Sequence, residues 1–355
     1  MMKSPTRLAV FCVLLLTMAG GLLFIFVQQR LEAPVNIGSE VSRVWTVDKG
    51  SSLGSVNRQL FAEQILSHPR LLTLYGRLEG RASIQSGSYR ILPTDNIKTL
   101  LAKLNSGDVI LHRITFPEGW SFKQWLNHLA EVEQFSDIGN IDVLSMLQAE
   151  GIELDHPEGW FFPDTYSYSA SDSVLDILLQ AHRQMRKLLD SEWQDRDSDL
   201  PYASPYEALI MASIIEKETG IGSERAEIAG VFIRRLQNRM RLQTDPTVIY
   251  GLGEAYRGNL RRRHLKQFSP YNTYMIKGLP PTPIAMPSAA AVNAAMHPLP
   301  GSSLYFVARG DGSHYFSDSL EEHIEAVKEY QIKRRAANYR SSPHKKSTIR
   351  DSDAR

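Results

Sequence analysis

An uncharged apolar run near the N-terminus constrains the fold of this chain more than any other feature. Residues 8–27, LAVFCVLLLTMAGGLLFIFV, contain no charged side chain over 20 positions. A helix of this length spans about 30 Å, which is the thickness of the hydrocarbon core of a bilayer. Lys3 and Arg7 precede the run, so the positive-inside bias places residues 1–7 in the cytoplasm and exports the rest. The sequence therefore predicts one transmembrane anchor over residues 8–27.

A cleaved signal peptide is the alternative interpretation of this run. Its apolar region would be shorter, and the QQRLEAPV that follows Val27 offers no convincing small-x-small cleavage site. A lipoprotein signal needs a small residue before its cysteine, but Phe11 precedes Cys12. Because Cys12 is the only cysteine, an intramolecular disulfide and a cysteine metal site are excluded.

The remainder of the chain has the composition of a globular protein. Hydrophobic residues make up 43% and charged residues 22%, which excludes wholesale disorder, collagen and a polytopic membrane protein. The net charge of +1 provides no general attraction to nucleic acid, so we expect no nucleic-acid partner. Residues 333–355 hold eight basic and two acidic residues, and we predict a disordered basic tail there. Such a tail is most often a solvated end, and contact with an acidic polymer or lipid is the alternative.

A small α+β domain is predicted over residues 44–110, after a polar linker over residues 28–43. Its pattern is strand, helix, helix, strand: VWTV alternates, residues 53–66 place apolar side chains on one helical face, and residues 87–91 form the second strand. A further helix starts at Ile97. The βααβ order resembles that of LysM glycan-binding modules, and a mere spacer domain is the alternative.

A larger mixed α+β catalytic domain is predicted over residues 111–332. The tetrapeptide PEGW occurs in it twice, at residues 117–120 and 157–160. We interpret these as two similar turns rather than an internal repeat, because their flanks do not match. Aromatic residues follow the second turn, and such a cluster is usually core, with a platform for sugar rings as the alternative. These residues are Trp160, Phe161, Phe162, Tyr166 and Tyr168.

The most informative helix begins after Ser204. Ser204 to Glu207 has the pattern of a capping box with proline at the first helical position, and Gly220 is a natural stop. At 100° per residue Glu218 falls within an apolar arc, whereas Glu216 points about 160° away. We therefore predict that Glu218 faces the interior and that Glu216 is a solvated or paired surface acid.

A carboxyl in the position predicted for Glu218 is expected to have a raised pKa. Desolvation and the partial negative charge of a helix C-terminus both disfavour the ionised form. A general acid at neutral pH needs this, since a glutamate with an unperturbed pKa of about 4.3 is already ionised. The alternative is a structural glutamate satisfied by backbone donors or by an arginine such as Arg225, Arg234 or Arg235.

Long motifs around this helix carry a family resemblance. MASIIEKETG is followed by SERAEIAGVFIRRLQNRMRLQTDPTVIYGLG, by SPYNTYMIKGLPPTPIAMPS and by LYFVARGDGSHYFS. From the anchor to about residue 330, the chain resembles the MltG/YceG-like endolytic murein transglycosylases. The resemblance implies that Glu218 is the catalytic glutamate. Thr219 stands where the wider lytic transglycosylases usually have a serine.

Polar and aromatic residues of these motifs are candidates for holding a glycan. Gln243 to Asp245 form a polar cluster on a turn, and the amides of Gln243 and Asn272 suit an N-acetyl group. The alternative is that Asp245 and Asn272 cap neighbouring helices or turns. The predicted substrate-binding residues are Thr219, Gln243, Thr244, Asp245, Tyr250, Asn272 and Tyr274.

The resemblance further implies an inner-membrane enzyme with its catalytic region in the periplasm. It implies lyase cleavage of the MurNAc–GlcNAc bond within peptidoglycan strands, with 1,6-anhydro-MurNAc ends and no metal or other cofactor. A role in limiting nascent strand length and a partnership with peptidoglycan synthases, the penicillin-binding proteins, are also implied.

Two other classes of function stay open at this point. A hydrolytic muramidase needs a second acid, such as Asp245 or Asp164, about 5–9.5 Å from Glu218. A non-catalytic peptidoglycan-binding scaffold would use Glu218 only structurally. The sequence has no HExxH, GxSxG or Walker motif, which argues against zinc, serine-hydrolase and nucleotide chemistry.

Overall fold

The long apolar run forms a single N-terminal helix. The computed structural model describes residues 5–140 and 142–333, so all but the first residue of the predicted basic tail lies outside the described residues. Helix α1, Pro5–Glu32, continues past the predicted end at Val27. By length and composition, its Ala9–Glu32 part can cross a membrane.

The chain divides into two compact units. The first contains the residues up to Ile114 together with Ser167–Asp172, and the second contains Thr115–Tyr166 and the residues from Ser173 onward. Both helices and strands occur among the described residues, so the predicted α+β class with one apolar N-terminal helix is confirmed.

The small α+β domain lies in the first unit. Strands β1 (Arg43–Val47) and β2 (Gly87–Ile91) pair antiparallel, with Trp45 opposite Tyr89. Helices α2 (Leu53–Ala62) and α3 (Leu71–Leu78) lie between them in sequence, which gives the predicted βααβ order, and α4 (Ile97–Ser106) follows. Capping boxes at Ser52 and Asn96 begin α2 and α4, and both helices bury leucines against the two strands.

The end of α1 belongs to the core of this small domain. Leu31 is 4% exposed and lies in one apolar cluster with Val35 and Ile37. Lys98 Nζ on α4 donates to Glu32 Oε1 at 2.8 Å and to Gln28 Oε1 at 2.9 Å. Residues 28–43, which were expected to form a polar linker, therefore contribute buried side chains and fix α1 to the domain.

We predict that Leu31→Ala destabilises the small domain by about 2–5 kcal/mol, because truncating a buried leucine leaves a cavity. Hydrogen exchange of the β1 and β2 amides, measured on the full chain in detergent micelles, reports this loss. Val41→Ala is the control, since Val41 is 87% exposed, and a change below about 0.5 kcal/mol is expected. Equal protection in the two variants would contradict the packing of Leu31.

The second unit is mainly helical. Strands β3 (His112–Thr115) and β4 (Thr165–Tyr168) form one two-stranded sheet, and the division between the units falls within each of them. Strands β5 (Tyr305–Ala308) and β6 (His314–Ser317) form an antiparallel pair. The helices are α5 (Phe122–Ala130), α6 (Val143–Ala149), α7 (Val174–Gln194), α8 (Pro205–Glu218), α9 (Arg225–Gln237), α10 (Asp245–Leu252), α11 (Arg262–Lys266), α12 (Ala289–Met296) and α13 (Leu320–Val327). The 3₁₀ segments are Glu133–Asn140, Gly222–Glu224 and Gly253–Ala255, and Lys328–Lys333 is a π-helical segment.

Helix α8 is the centre of the second unit. Helices α7, α9, α10 and α12 pack against it, and all residues from Ala208 to Glu216 are buried. The prediction that Glu216 is a surface acid is therefore wrong, since only 7% of this residue is exposed. A helix that is enclosed on every side carries apolar residues all round, so a helical wheel does not separate its faces.

Candidate active site

The sequence around α8 determines where its last residue, Glu218, is placed. Ser204 caps the helix by accepting a hydrogen bond from the Glu207 backbone, and Pro205 is the first helical residue. The predicted capping box is only half formed, because the Glu207 carboxylate accepts from the Ala203 backbone N–H, at 2.7 Å, instead of from Ser204.

The other end of α8 is terminated by Thr219. Its backbone is extended, and its hydroxyl accepts a hydrogen bond from the Ile221 N–H at 2.9 Å. The same hydroxyl donates to Glu224 at 3.4 Å, and Glu224 in turn accepts from both the backbone and the ring of His314. Thr219 is 2% exposed, so its contacts are those of a residue that shapes the turn after Glu218.

Glu218 lies at the boundary between interior and surface. Its carboxyl accepts a hydrogen bond from Thr244 Oγ1. Burial raises the pKa of Glu218 to about 7; the Thr244 hydrogen bond and the charge of Arg235 lower it, and the charge of Asp245 raises it. The side chain is partly exposed, so a substrate can reach it. With a pKa of about 7, it can both release and accept a proton at pH 7.

The turn that brings Thr244 to Glu218 is tightly held. Thr273 accepts from Thr244 N through Oγ1 at 3.0 Å and from Gln243 N through its carbonyl at 3.2 Å. Gln243 has a φ of 54°, a left-handed backbone that residues other than glycine rarely adopt. Its side-chain oxygen accepts from Arg235 at 3.4 Å. Strained residues of this kind cluster at functional sites.

Asp245 and Tyr274 complete the cluster around Glu218. Asp245 begins α10 and is exposed, and the Tyr274 hydroxyl donates to its Oδ1 at 2.7 Å. Burial and the Asp245 carboxylate both raise the pKa of Tyr274, so this hydroxyl stays a donor at neutral pH. The structure thus brings together Gln243, Thr244, Asp245 and Tyr274 with Glu218.

Asn272 has the contacts of a structural residue. It is 1% exposed, its side-chain Nδ2 donates to the backbone carbonyls of His264, Leu265 and Gln267, and its Oδ1 accepts from Tyr274 N. These contacts agree with the capping alternative that the sequence left open, and they use both ends of the amide.

Tyr250 lies further along α10 and leads to an acid that the sequence analysis missed. Its hydroxyl donates to Glu158 Oε2 at 3.0 Å. Glu158 belongs to the second PEGW turn and is 3% exposed, and burial raises its pKa to about 7. One signal in the sequence could have revealed Glu158: it is an acid directly before an aromatic run, in the tetrapeptide that we interpret as a turn.

Glu216 connects two helices behind the site. Its Oε2 accepts from Ser288 N at 3.3 Å and from Ser288 Oγ at 2.5 Å, and Arg225 lies 3.7 Å away. Ser288 is the N-cap of α12. This carboxylate therefore holds α8 against α12. Within residues 5–140 and 142–333, no group of three His, Cys, Asp or Glu side chains is placed to bind a metal ion.

We predict that Glu216→Gln lowers the free energy of unfolding by about 1–3 kcal/mol, because a buried carboxylate acceptor is replaced by a neutral amide. Chemical denaturation measures the change, and Glu254→Gln is the control, because the Glu254 side chain is 86% exposed. Activity per folded molecule should persist in Glu216→Gln. Unchanged stability would contradict the role assigned to this carboxylate.

We predict opposite shifts in the pH profile from two neighbours of Glu218. Thr244→Val removes a hydrogen bond that favours the ionised carboxyl, so the pKa of Glu218 rises and the alkaline limb of kcat/KM moves to higher pH. Asp245→Asn removes a negative charge that favours the protonated form, so the limb moves to lower pH. Shifts in the same direction in both variants would contradict the assignment of this limb to Glu218.

An acid with a pKa near neutrality, at the rim of a polar cluster, has the properties that acid–base catalysis needs. Comparison with known proteins identifies the family of the chain. Residues 45–329 match the YceG-like family, and the chain belongs to that family, as the sequence motifs indicated.

Three similar proteins illustrate this membership. The endolytic murein transglycosylase of Bacillus subtilis (strain 168) is 30% identical over 327 residues, which cover 86% of this chain and 89% of that protein. The endolytic murein transglycosylase of Streptococcus pneumoniae (strain ATCC BAA-255 / R6) is 25% identical over 334 residues, and the match spans 84% of this chain but 60% of that protein. A crystal structure of a yceG-like protein from Listeria monocytogenes has a TM-score of 0.50 and 28% identity, over 81% of this chain and 99% of that one.

Proposed function

We propose that this protein is an endolytic murein transglycosylase, a lyase that cleaves peptidoglycan glycan strands internally. The observation that carries the proposal is Glu218, a partly exposed acid whose pKa burial raises to about 7, beside Asp245 and Tyr274. Relatives at 30% and 25% identity are named endolytic murein transglycosylases, and they match most of this chain.

Glu218 acts first as the general acid. In its protonated form it donates its proton to the glycosidic oxygen between MurNAc and GlcNAc, and the bond from this oxygen to the muramic C1 breaks. Positive charge develops at C1. The Asp245 carboxylate is the group of the cluster suited to stabilise this charge, since the Gln243 side-chain oxygen already accepts from Arg235.

Glu218 then acts as the general base. Its carboxylate takes the proton from the muramic C6 hydroxyl, and the C6 oxygen forms a bond to C1. The product is a 1,6-anhydro end, and because no water is consumed, the reaction is a lyase step. One residue serves both steps because its pKa lies near the working pH.

A hydrolytic muramidase is the second candidate, and one observation favours it. The charge of Asp245 reaches Glu218, so a second carboxylate is available near the acid. Asp164 is a weaker candidate, since its Oδ1 accepts from the adjacent Thr165 N–H, at the start of β4. Stereochemistry and product ends, rather than the presence of two acids, separate the two reactions.

We predict that the wild-type chain releases fragments with 1,6-anhydro-MurNAc ends from purified glycan strands, detected by mass spectrometry. Glu218→Gln should lower the rate by about 10²- to 10⁴-fold, the contribution typical of general acid–base catalysis. Reducing muramic ends would indicate the muramidase, and no cleavage by the wild-type chain would indicate the scaffold. Glu216→Gln, with its rate expressed per folded molecule, is the matched control.

Stability provides an independent check on the same variant. The folded-state pKa of Glu218 is raised, so the stability linked to its protonated form is present at low pH and lost as the pH rises through about 7. Glu218→Gln should therefore be more stable than the wild-type chain at pH 8, with this advantage absent at pH 4.

The location and the accessory domain belong to the same proposal. We infer that α1 anchors the chain in the inner membrane with residues 1–7 in the cytoplasm and the catalytic unit in the periplasm, as Lys3 and Arg7 favour. The βααβ domain is proposed to be a LysM-like glycan-binding module. Penicillin-binding proteins are the proposed partners, and limiting the length of nascent strands is the proposed role.

A further inference from the structure

Glu158 is a buried acid that the reaction proposed above does not use. It accepts hydrogen bonds on both carboxyl oxygens, from Phe122 N to Oε1 at 2.9 Å and from the Tyr250 hydroxyl to Oε2 at 3.0 Å. Phe122 is the first residue of α5, where the helix end favours a negative charge. Burying a carboxyl is costly, so a residue with 3% exposure and two dedicated donors calls for a role.

Tyr250 belongs to a group of half-buried aromatic residues on one side of the α8 core. We call Trp160, Tyr206, Tyr250 and Tyr271 the aromatic wall. The rings of Trp160 and Tyr206 stack with centroids 5.5 Å apart, and those of Tyr250 and Tyr271 lie 5.0 Å apart. Burial raises the pKa of Tyr206 to about 12 and the Glu158 carboxylate adds to this effect, so Glu158 lies near both pairs.

The acid that holds Tyr250 lies close to the end of α8. Burial raises the pKa of Glu158 and the charge of Lys217, the residue before Glu218, lowers it, while Tyr250 lies on α10, which begins with Asp245. Aromatic rings stack on the apolar faces of sugars, and tyrosine hydroxyls bond to sugar hydroxyl and amide groups. We propose that Glu158 is a positioning residue for glycan binding: it holds the Tyr250 hydroxyl and thereby fixes the aromatic wall against which the strand lies.

The groups around Glu158 determine how its contact with Tyr250 responds to pH. Burial disfavours the carboxylate and is the largest effect, whereas the Phe122 and Tyr250 donors and then the charge of Lys217 on α8 favour it. His156 accepts from the Glu158 backbone N–H at 3.2 Å, and burial lowers its pKa, so its ring stays neutral near pH 7. The ionised carboxylate accepts on both oxygens through charge-assisted hydrogen bonds. A proton on Oε2 would instead be donated to the Tyr250 oxygen, and this neutral hydrogen bond is weaker. Protonation of Glu158 therefore weakens its hold on Tyr250, and glycan affinity falls as the pH is lowered through about 7.

The test measures binding rather than cleavage, and it rests on the proposed function only for the choice of ligand. The full chain carrying Glu218→Gln is titrated in detergent micelles with soluble, uncross-linked glycan strands at pH 6 and pH 8. This substitution prevents cleavage and removes the titration of Glu218, so Glu218 does not contribute to the pH dependence of binding. We expect Glu158→Gln and Tyr250→Phe each to weaken binding at pH 8 by about 10-fold, the loss typical of a hydrogen bond to a charged group.

Two features of the result are specific to a positioning role. The double variant should bind no more weakly than the weaker single variant, because Glu158 acts through Tyr250. The parent should bind more tightly at pH 8 than at pH 6, and this dependence should disappear in both single variants. Tyr315→Phe is the matched control, since its hydroxyl donates to Glu322 at 2.9 Å and it does not belong to the aromatic wall, so it should keep the affinity and the pH dependence.

Three outcomes would overturn the inference. Unchanged affinity with a lower melting temperature would make Glu158 a structural residue, and additive losses in the double variant would separate it from Tyr250. A loss of kcat without a loss of affinity, when Glu158→Gln is placed in the otherwise wild-type chain, would make Glu158 part of the chemistry. If the wild-type chain forms anhydro ends while the variants bind normally, this inference fails and the proposed function stands.

Discussion

The enclosure of α8 by four other helices is the constraint on which the rest of the second unit depends. A helix buried from Ala208 to Glu216 can meet solvent only at its ends, and its C-terminal end is where Glu218 lies. Desolvation by the same packing raises the pKa of this carboxyl to about 7. The packing of the core therefore keeps the pKa of Glu218 near neutrality. If water surrounded the last turn of α8, Glu218 would be ionised at neutral pH and unable to donate a proton.

Two glutamates of this helix differ in their partners, and this difference, rather than burial, distinguishes a structural carboxylate from a candidate catalytic one. Glu216 is the more buried, yet Ser288 donates to it twice and Arg225 lies nearby, so its charge is compensated. Glu218 has one hydroxyl donor, Thr244, and the charges of Asp245 and Arg235 act on its pKa in opposite directions. A carboxylate with several donors and a nearby cation can hold two helices together. A buried carboxyl with fewer favourable partners keeps its proton to a higher pH.

Local sequence patterns predicted the helix α8 and the raised pKa of Glu218. The features that the sequence did not reveal depend on contacts between residues far apart in the chain. Ser204, Pro205 and Gly220 bracket α8 correctly because capping is decided within a few residues. The helical wheel gave the wrong prediction for Glu216 because α8 has no solvent-exposed face. The sequence of one helix does not show which other helices pack against it. Glu158 was missed because its donors lie 36 and 92 residues away. Asn272 looked like a ligand for sugar because the three carbonyls that it holds belong to the short helix α11 and its C-cap, which the sequence did not predict.

The roles proposed for Glu218 and Glu158 need opposite protonation states. In the proposed reaction Glu218 carries its proton to break the glycosidic bond, whereas in the proposed binding role Glu158 holds Tyr250 best when it is ionised. Burial raises the pKa of both to about 7, so lowering the pH favours the chemistry and weakens the aromatic wall, and raising it does the reverse. The two requirements are met together only over a narrow range around neutrality. The donors set this balance: Thr244 at one acid, and Phe122 and Tyr250 at the other, limit how far burial can raise each pKa.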